Sequence, residues 1–164
     1  MSVLPDPQVA YDLLAKYDIS FDRLEHEAIT SVRDTDIVLP GQQVKNLFLK
    51  GKKGKKFYLV ILRDEKRADI HQLAEALDDK RLSFASDHYL EELLHVEPGV
   101  VTPFGVMFDT EQKVEVIVDT DVDHSESATV GFHPFQNTLT LNIKYSDFDH
   151  LMRALDHPIR VIEA

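Results

Sequence analysis

The sequence predicts an α+β fold: a single mixed, largely antiparallel β-sheet with a barrel-like core, flanked by helices. Apolar runs of strand length cluster in the middle of the chain, amphipathic helical stretches interrupt them, and no regular βαβ repeat appears. At 164 residues the chain is expected to form a single domain, 1–164, long enough to bury roughly two thirds of its unfolded surface.

Residues 5–17 carry Val9, Leu13 and Leu14 at helical spacing, with Asp6 as an N-cap and Pro7 at the first helical position. Residues 23–30 alternate loosely as a short strand, and 31–43 are ambiguous, with a Pro40-Gly41 turn near their end. Residues 44–63, VKNLFLKGKKGKKFYLVILR, set two apolar runs around GKKGKK and read as a β-hairpin with a basic tip. Residues 69–77 place Ile70, Leu73, Ala74 and Leu77 on one helical face behind an Asp69 cap. A short strand at 82–85 precedes a second amphipathic helix at 86–95, built on Leu90, Leu93 and Leu94 and stopped by Pro98. The apolar stretch 99–105, GVVTPFG, is bounded by glycines and broken by Pro103, which favours a shaped loop over a plain strand. Strands are expected at 105–108, 114–119, 129–132 and 138–143. A helix over 146–155 follows, with Phe148, Leu151, Met152 and Leu155 on one face, and a last strand over 159–162.

The chain has 18 Lys and Arg against 29 Asp and Glu, a net charge of −11. Residues 37–63 contain no acid, and Lys45, Lys50, Lys52, Lys53, Lys55, Lys56 and Arg63 give that stretch +7, which leaves −18 on the rest. An acidic protein with one basic hairpin can meet a polyanion at one place and repel it elsewhere. The alternative is a solvated turn whose lysines keep a hairpin edge from aggregating.

Several chemistries are excluded. There is no cysteine, hence no disulfide, thiolate zinc site or thiol nucleophile. No GxSxG occurs, and His26-Glu27 has Thr30 where HExxH needs its second histidine. The run Asp119-Thr-Asp121-Val-Asp123 has His124 in place of the calcium-loop glycine and Val130 in place of its glutamate, and reads as a solvated turn. GKKGKK lacks the spacing of a phosphate-binding loop. The eight histidines are scattered and read as surface or capping residues, so no metal and no cofactor are expected. With no basic, apolar leader at the N-terminus and no apolar run longer than 57–62, a soluble cytoplasmic protein without a membrane partner is expected.

Three stretches remain as a constellation: Lys45-Asn46, the 99–105 loop, and Gly131-Phe132-His133-Pro134 with Asn137 beyond. Singly they read as a surface cation, a structural turn and a satisfied histidine. Together and in order, KNLFL, GVVTPFG, GFHPFQNTLT and SDF resemble the bacterial prolyl-tRNA editing family, the YbaK/ProX-type deacylases. That family is related to the editing domain inserted in many bacterial prolyl-tRNA synthetases. The resemblance covers nearly the whole chain, and GFHPxxN is similar to the alanine-type branch rather than to the cysteine-type one with its Gly-Gly-Ile-Ser-Pro stretch. One departure is Asp156-His157, where relatives often carry Gly-His.

The resemblance implies a free-standing hydrolase that cleaves the ester of mischarged Ala-tRNA(Pro). Its partners would be the acceptor end of the tRNA and, in addition, a prolyl-tRNA synthetase, with no DNA. The catalytic set it implies is Lys45, Gly99, Pro103 and His133. Lys45 would hold the terminal adenosine phosphate or the carbonyl. Gly99 and Pro103 would shape a GxxxP loop whose backbone approaches the ester or the attacking water. Asn46 and His133 would hydrogen-bond the adenosine or ester, and Asn137 would support His133 or the loop. Thr102 and Gly131 belong to the same binding stretches, and Phe104, Val106 and Phe132 would neighbour a pocket that admits a methyl group and excludes the proline ring. Lys50, Lys52, Lys53, Lys55 and Lys56 would contact the tRNA backbone. Three alternatives stay open: Cys-tRNA(Pro) or another small aminoacyl-tRNA as substrate, a non-catalytic tRNA- or nucleotide-binding module, and an unrelated acidic α+β domain.

Overall fold

A computed structural model describes residues 5–25, 42–52, 56–98, 100–136 and 138–163. The expectations for 26–41, and for Lys53, Lys55, Gly99 and Asn137, lie outside the described residues. In chain order the elements are helix α1 (Pro7–Lys16), strands β1 (Asp22–Glu25), β2 (Val44–Gly51) and β3 (Phe57–Arg63), helix α2 (Ile70–Ala76) and strand β4 (Leu82–Phe84). Helix α3 (Asp87–Tyr89) widens into a π-helical turn, Leu90–Leu94, and a 3-10 helix spans Pro103–Phe108. Strands β5 (Val114–Asp119), β6 (Thr129–Phe132) and β7 (Leu139–Lys144), helix α4 (Tyr145–Ala154) and strand β8 (Arg160–Ile162) complete the order.

The strands form two sheets, which corrects the expected single, barrel-like one. A five-stranded sheet has the order β4-β2-β3-β5-β8, and a three-stranded sheet the order β1-β7-β6. The hairpin and the β4 edge are antiparallel, whereas β3-β5 and β5-β8 are parallel, so the larger sheet is mixed. Among the described residues the two sheets meet in one parallel bridge, Gln42 to Val130, and neither closes into a barrel. Periodicity specifies strands but not their partners, and the free edge of β7 is taken by β1, from the start of the chain.

Strand β3 is buried on both faces, which is why FYLVIL reads as a continuous apolar run. Phe57, Leu59 and Ile61 enter the larger core with Phe48, Phe104, Phe132 and Phe148. Tyr58, Val60 and Leu62 enter the smaller core beneath α2, with Leu49, Leu73, Leu77 and Leu82. Each such side chain contributes about 1.5–3 kcal/mol on burial.

The predicted caps form: Asp6 accepts from the Gln8 N–H at 2.9 Å, and Asp69 from that of Gln72 at 3.0 Å. The strand expected over 105–108 is instead the 3-10 helix. Pro103 starts that helix, the Thr102 hydroxyl caps it by accepting from the Phe104 N–H at 3.4 Å, and Gly105 packs where a Cβ would lie 2.6 Å from the Leu94 carbonyl oxygen. Among the described residues no helix is long and apolar enough to cross a membrane.

After α4 the chain turns through Asp156, whose φ of 60° is the left-handed conformation that glycine adopts without strain. The departure from Gly-His therefore falls where glycine would suit the backbone. The next residue, His157, is buried, with Nδ1 2.7 Å from the Leu155 carbonyl oxygen and Nε2 2.9 Å from Asp109 Oδ2. Asp109 also accepts from the backbone N–H groups of Lys113 at 3.1 Å and Val114 at 2.8 Å. A carbonyl oxygen and an ionised carboxylate only accept, so both ring nitrogens carry protons and the pair is ionic. Burial opposes the His157 charge, but the Asp109 hydrogen bond and the Leu155 carbonyl outweigh it and raise the pKa. For Asp109 burial is likewise outweighed, by the His157 hydrogen bond and the two backbone donors, and its pKa is lowered.

Candidate active site

In β2, Lys45 lies opposite Leu62 and Asn46 opposite Ile61. Cross-strand partners share a face, and Leu62 belongs to the smaller core while Ile61 belongs to the larger. Lys45 and Asn46 therefore leave the sheet on opposite faces, and the structure separates two residues that the sequence groups. Asn46 keeps the side of Val44 and Phe48, and its buried Oδ1 has no hydrogen-bond partner among the described residues.

The bridge sets Gln42 opposite Val130 with β2 and β6 running in the same direction, and Lys45 and His133 are each three residues further on. Val130 and Phe132 point into the larger core, so Gly131 and His133 take the other face of β6. Gly131 lies across from Asn142 of β7, and a Cβ on it would sit 2.8 Å from the Thr140 methyl and 4.0 Å from Gln43 Oε1. Glycine is thus needed where the Thr140 methyl closes on the β6 backbone, with Gln43 alongside. Asn142 is only 7% exposed, and its Oδ1 has no partner among the described residues. His133 Nδ1 is 2.7 Å from the Leu139 carbonyl oxygen, which only accepts. Nδ1 therefore carries the proton, and in the neutral ring Nε2 is the acceptor.

Gln43, Thr140 and Asn142 were not singled out from the sequence. The signal for two of them is present, since the alternation in TLTLN puts Thr140 and Asn142 on one face of a strand whose other face is apolar.

The GxxxP loop meets the same strand from the core side. Thr102, Pro103, Phe104 and Val106 are buried, and the Phe104 ring packs edge-on against Phe132 at 6.0 Å, which in turn contacts Phe148 at 4.8 Å. These rings join loop and strand inside the core.

The basic tip lies at the other end of β2. Lys50 follows Lys45 by five residues, about 16 Å along a strand, and its Nζ sits 4.7 Å over the Tyr89 ring and 3.3 Å from the Tyr89 hydroxyl. Lys52 and Lys56 are exposed, and the Lys52 N–H donates to the Arg81 carbonyl and to Asp79 Oδ1, both at 3.1 Å. Burial and then the Asp79 charge push the Tyr58 hydroxyl up to about 12. The acidic run after β5 is not wholly a solvated turn: Asp119 is fully buried, and Lys66 bonds it at 2.8 Å and Asp121 at 3.1 Å.

The family model for the aminoacyl-tRNA editing domain matches residues 26–151. The chain is similar to the prolyl-tRNA editing protein ProX of Acetoanaerobium sticklandii, with 31% identity over 157 residues, covering 92% of this chain and 94% of that protein. It is also 29% identical, over 149 residues, to the prolyl-tRNA synthetase associated domain-containing protein 1 of Danio rerio, covering 89% of this chain and 80% of that one. Its fold matches a solved structure described as a candidate trans-editing enzyme for prolyl tRNA synthetase, with a TM-score of 0.70 at 18% identity and 99% of each chain covered. A match over residues 26–151, with a relative of 31% identity aligned along almost its full length, establishes that the chain belongs to the aminoacyl-tRNA editing domain family.

Proposed function

We propose that the chain is a trans-acting editing hydrolase, one domain over 1–164, that cleaves the ester of mischarged Ala-tRNA(Pro). Membership of the editing family makes it an aminoacyl-tRNA deacylase. One observation supports the assignment of the reacting site most directly: Gly131 approaches Gln43, two residues before Lys45 on the same face, and lies across from Asn142, whose buried Oδ1 has no partner among the described residues. A buried polar atom without a partner costs about 1–3 kcal/mol, and a bound acceptor end would satisfy it.

In the reaction a water adds to the ester carbonyl, the bond from carbonyl carbon to ribose oxygen breaks, and a proton reaches that oxygen, releasing alanine and free tRNA. Lys45 holds the phosphate of the terminal adenosine or the carbonyl as a mobile cation. His133, its ring oriented by the Leu139 carbonyl, meets a ribose hydroxyl or the water and orients it. The Asn142 amide meets the ribose or the amino acid. The loop that begins at Pro103 packs on β6 from the core side, opposite Gly131 and His133, and Thr102 fixes it through its cap, so its part in the reaction is to hold β6 in place behind the site. Phe104, Val106 and Phe132 are packed in the larger core behind β6, so they stiffen the strand that carries Gly131 and His133 rather than line the pocket. Lys52, Lys53, Lys55 and Lys56 contact tRNA backbone beyond the acceptor end, with Lys50 held against Tyr89 alongside them. A prolyl-tRNA synthetase is the partner that supplies the mischarged tRNA.

The test is deacylation of Ala-tRNA(Pro), Cys-tRNA(Pro) and Pro-tRNA(Pro) side by side. Rapid loss of alanine alone supports the reading. Loss of cysteine alone moves the substrate to the other branch, and turnover of none of the three overturns it.

A further inference from the structure

Strand β4 carries an unexplained side chain. Phe84 is 66% exposed, one of two large apolar side chains left open among the described residues. A lone exposed phenylalanine is ordinary, but the surroundings of this one are not. It pairs with Leu49 of β2, and Leu49 and Leu82 both point into the smaller core, so Phe84 emerges on that face. Lys45 leaves the sheet on the same face, since its partner Leu62 belongs to that core as well. Lys45 precedes Leu49 by four residues, so the two side chains are about 13 Å apart along the strand and about 5 Å apart across it.

Cations flank Phe84. The exposed Lys80 and Arg81 lead into β4, and the Lys52 N–H is bonded to the Arg81 carbonyl, whereas Lys50, opposite Ser83, leaves the other face of the sheet. The nearby Asp79 is occupied by the backbone N–H groups of Lys52 and Arg81. Lys80 and Arg81 thus extend the basic surface beyond the hairpin. An exposed aromatic ring beside a basic strip is the arrangement that binds single-stranded nucleic acid, with the ring stacking a base and the cations tracking the phosphates.

We propose that Phe84 is a stacking platform for an unpaired nucleobase of the tRNA 3′ terminus, a few nucleotides before the adenosine that Lys45 holds. The inference rests on the deacylase reading above. It assigns a binding role to Phe84, with Lys80 and Arg81 as phosphate contacts, and makes β4 part of the substrate site.

The experiment compares Phe84→Ala and Phe84→Trp on Ala-tRNA(Pro) and on 3′-O-alanyl-adenosine, which has no upstream nucleotide to stack. Phe84→Ala is expected to lose about 5- to 150-fold in kcat/KM on the tRNA, through KM. It should hydrolyse alanyl-adenosine as the wild type does, and Phe84→Trp should retain activity on both. An unchanged kcat/KM on tRNA overturns the proposal, and so does an equal loss on the two substrates, which would mark a structural role. If the wild type hydrolyses neither substrate, the deacylase reading fails instead. The stacking is then read directly from 2-aminopurine placed at the unpaired 3′ nucleotides of uncharged tRNA. Quenching by wild type but not by Phe84→Ala supports it, and equal signals overturn it.

Discussion

The Asp109–His157 pair and the patch around Gly131 and Asn142 are both polar and both buried, but they differ in whether every atom has a partner. In the pair, each ring nitrogen of His157 meets an acceptor, and Asp109 takes two backbone N–H groups besides. Nothing is left for a ligand, and the pair fastens the end of α4 to the start of β5. In the patch, Gly131 lets the Thr140 methyl close on the backbone, and the Asn142 side-chain carbonyl has no partner among the described residues. The first arrangement accounts for every polar atom, whereas the second leaves one whose partner the proposed substrate would supply.

Four substitutions or titrations bear on that contrast. His157→Ala leaves the Asp109 carboxylate buried without its cation, and is expected to lower unfolding free energy by about 3–5 kcal/mol in urea melts while the folded enzyme deacylates normally. A large activity loss at unchanged stability would reverse the assignment. Lys45→Ala is the mirror image: a deacylation loss of about 100-fold or more, with stability within about 0.5 kcal/mol of wild type. Gly131→Ala presses on the Thr140 methyl, 2.8 Å from the new Cβ. It should cost about 1–3 kcal/mol of stability along with activity. Adding Thr140→Ser removes that methyl, and should restore stability ahead of turnover if the patch serves substrate.

The smallest effect is in pH. The folded pKa of His157 is raised above its ordinary 6.5, so its contribution is complete below that value and is lost as pH rises through the folded pKa. The Asp109 pKa is lowered below 3.8, so its contribution is complete above that value and is lost as pH falls through the folded pKa. Thermal melts should therefore weaken toward alkaline pH in the wild type, and this slope should be absent in His157→Gln.

Much of the fold is legible in local sequence. Asp6-Pro7 and Asp69 mark helix starts, FYLVIL marks a strand buried on both faces, and VEVIVD, TVGF and the helix after Lys144 follow their periodicities. What local sequence does not carry is partnership. That β1 pairs with β7 and that the sheets are two depend on contacts distant in sequence, and 105–108 became a 3-10 helix because Pro103 and the close Gly105–Leu94 contact outweighed an apolar strand-like pattern. The candidate site divides the same way. Lys45, Gly131 and His133 stand out by type and resemblance, whereas the opposite facing of Asn46, the proximity of Gln43 and the burial of Asn142 follow from register alone. His157 stayed hidden among scattered histidines because its partner Asp109 is 48 residues away.

The β1–β7 pairing has a consequence for synthesis. Asp22 pairs with Asn142, 120 residues later (142 minus 22). At about 5–20 residues per second, roughly 6–24 s separate the emergence of the two from the ribosome. Through that interval β1 waits without its neighbour in this sheet, and the patch beside Gly131 lacks the strand that supplies Thr140 and Asn142. The proposed editing site is thus among the last features to assemble, so a nascent chain interrupted before β7 would hold the hairpin and its lysines without the strand that completes the patch.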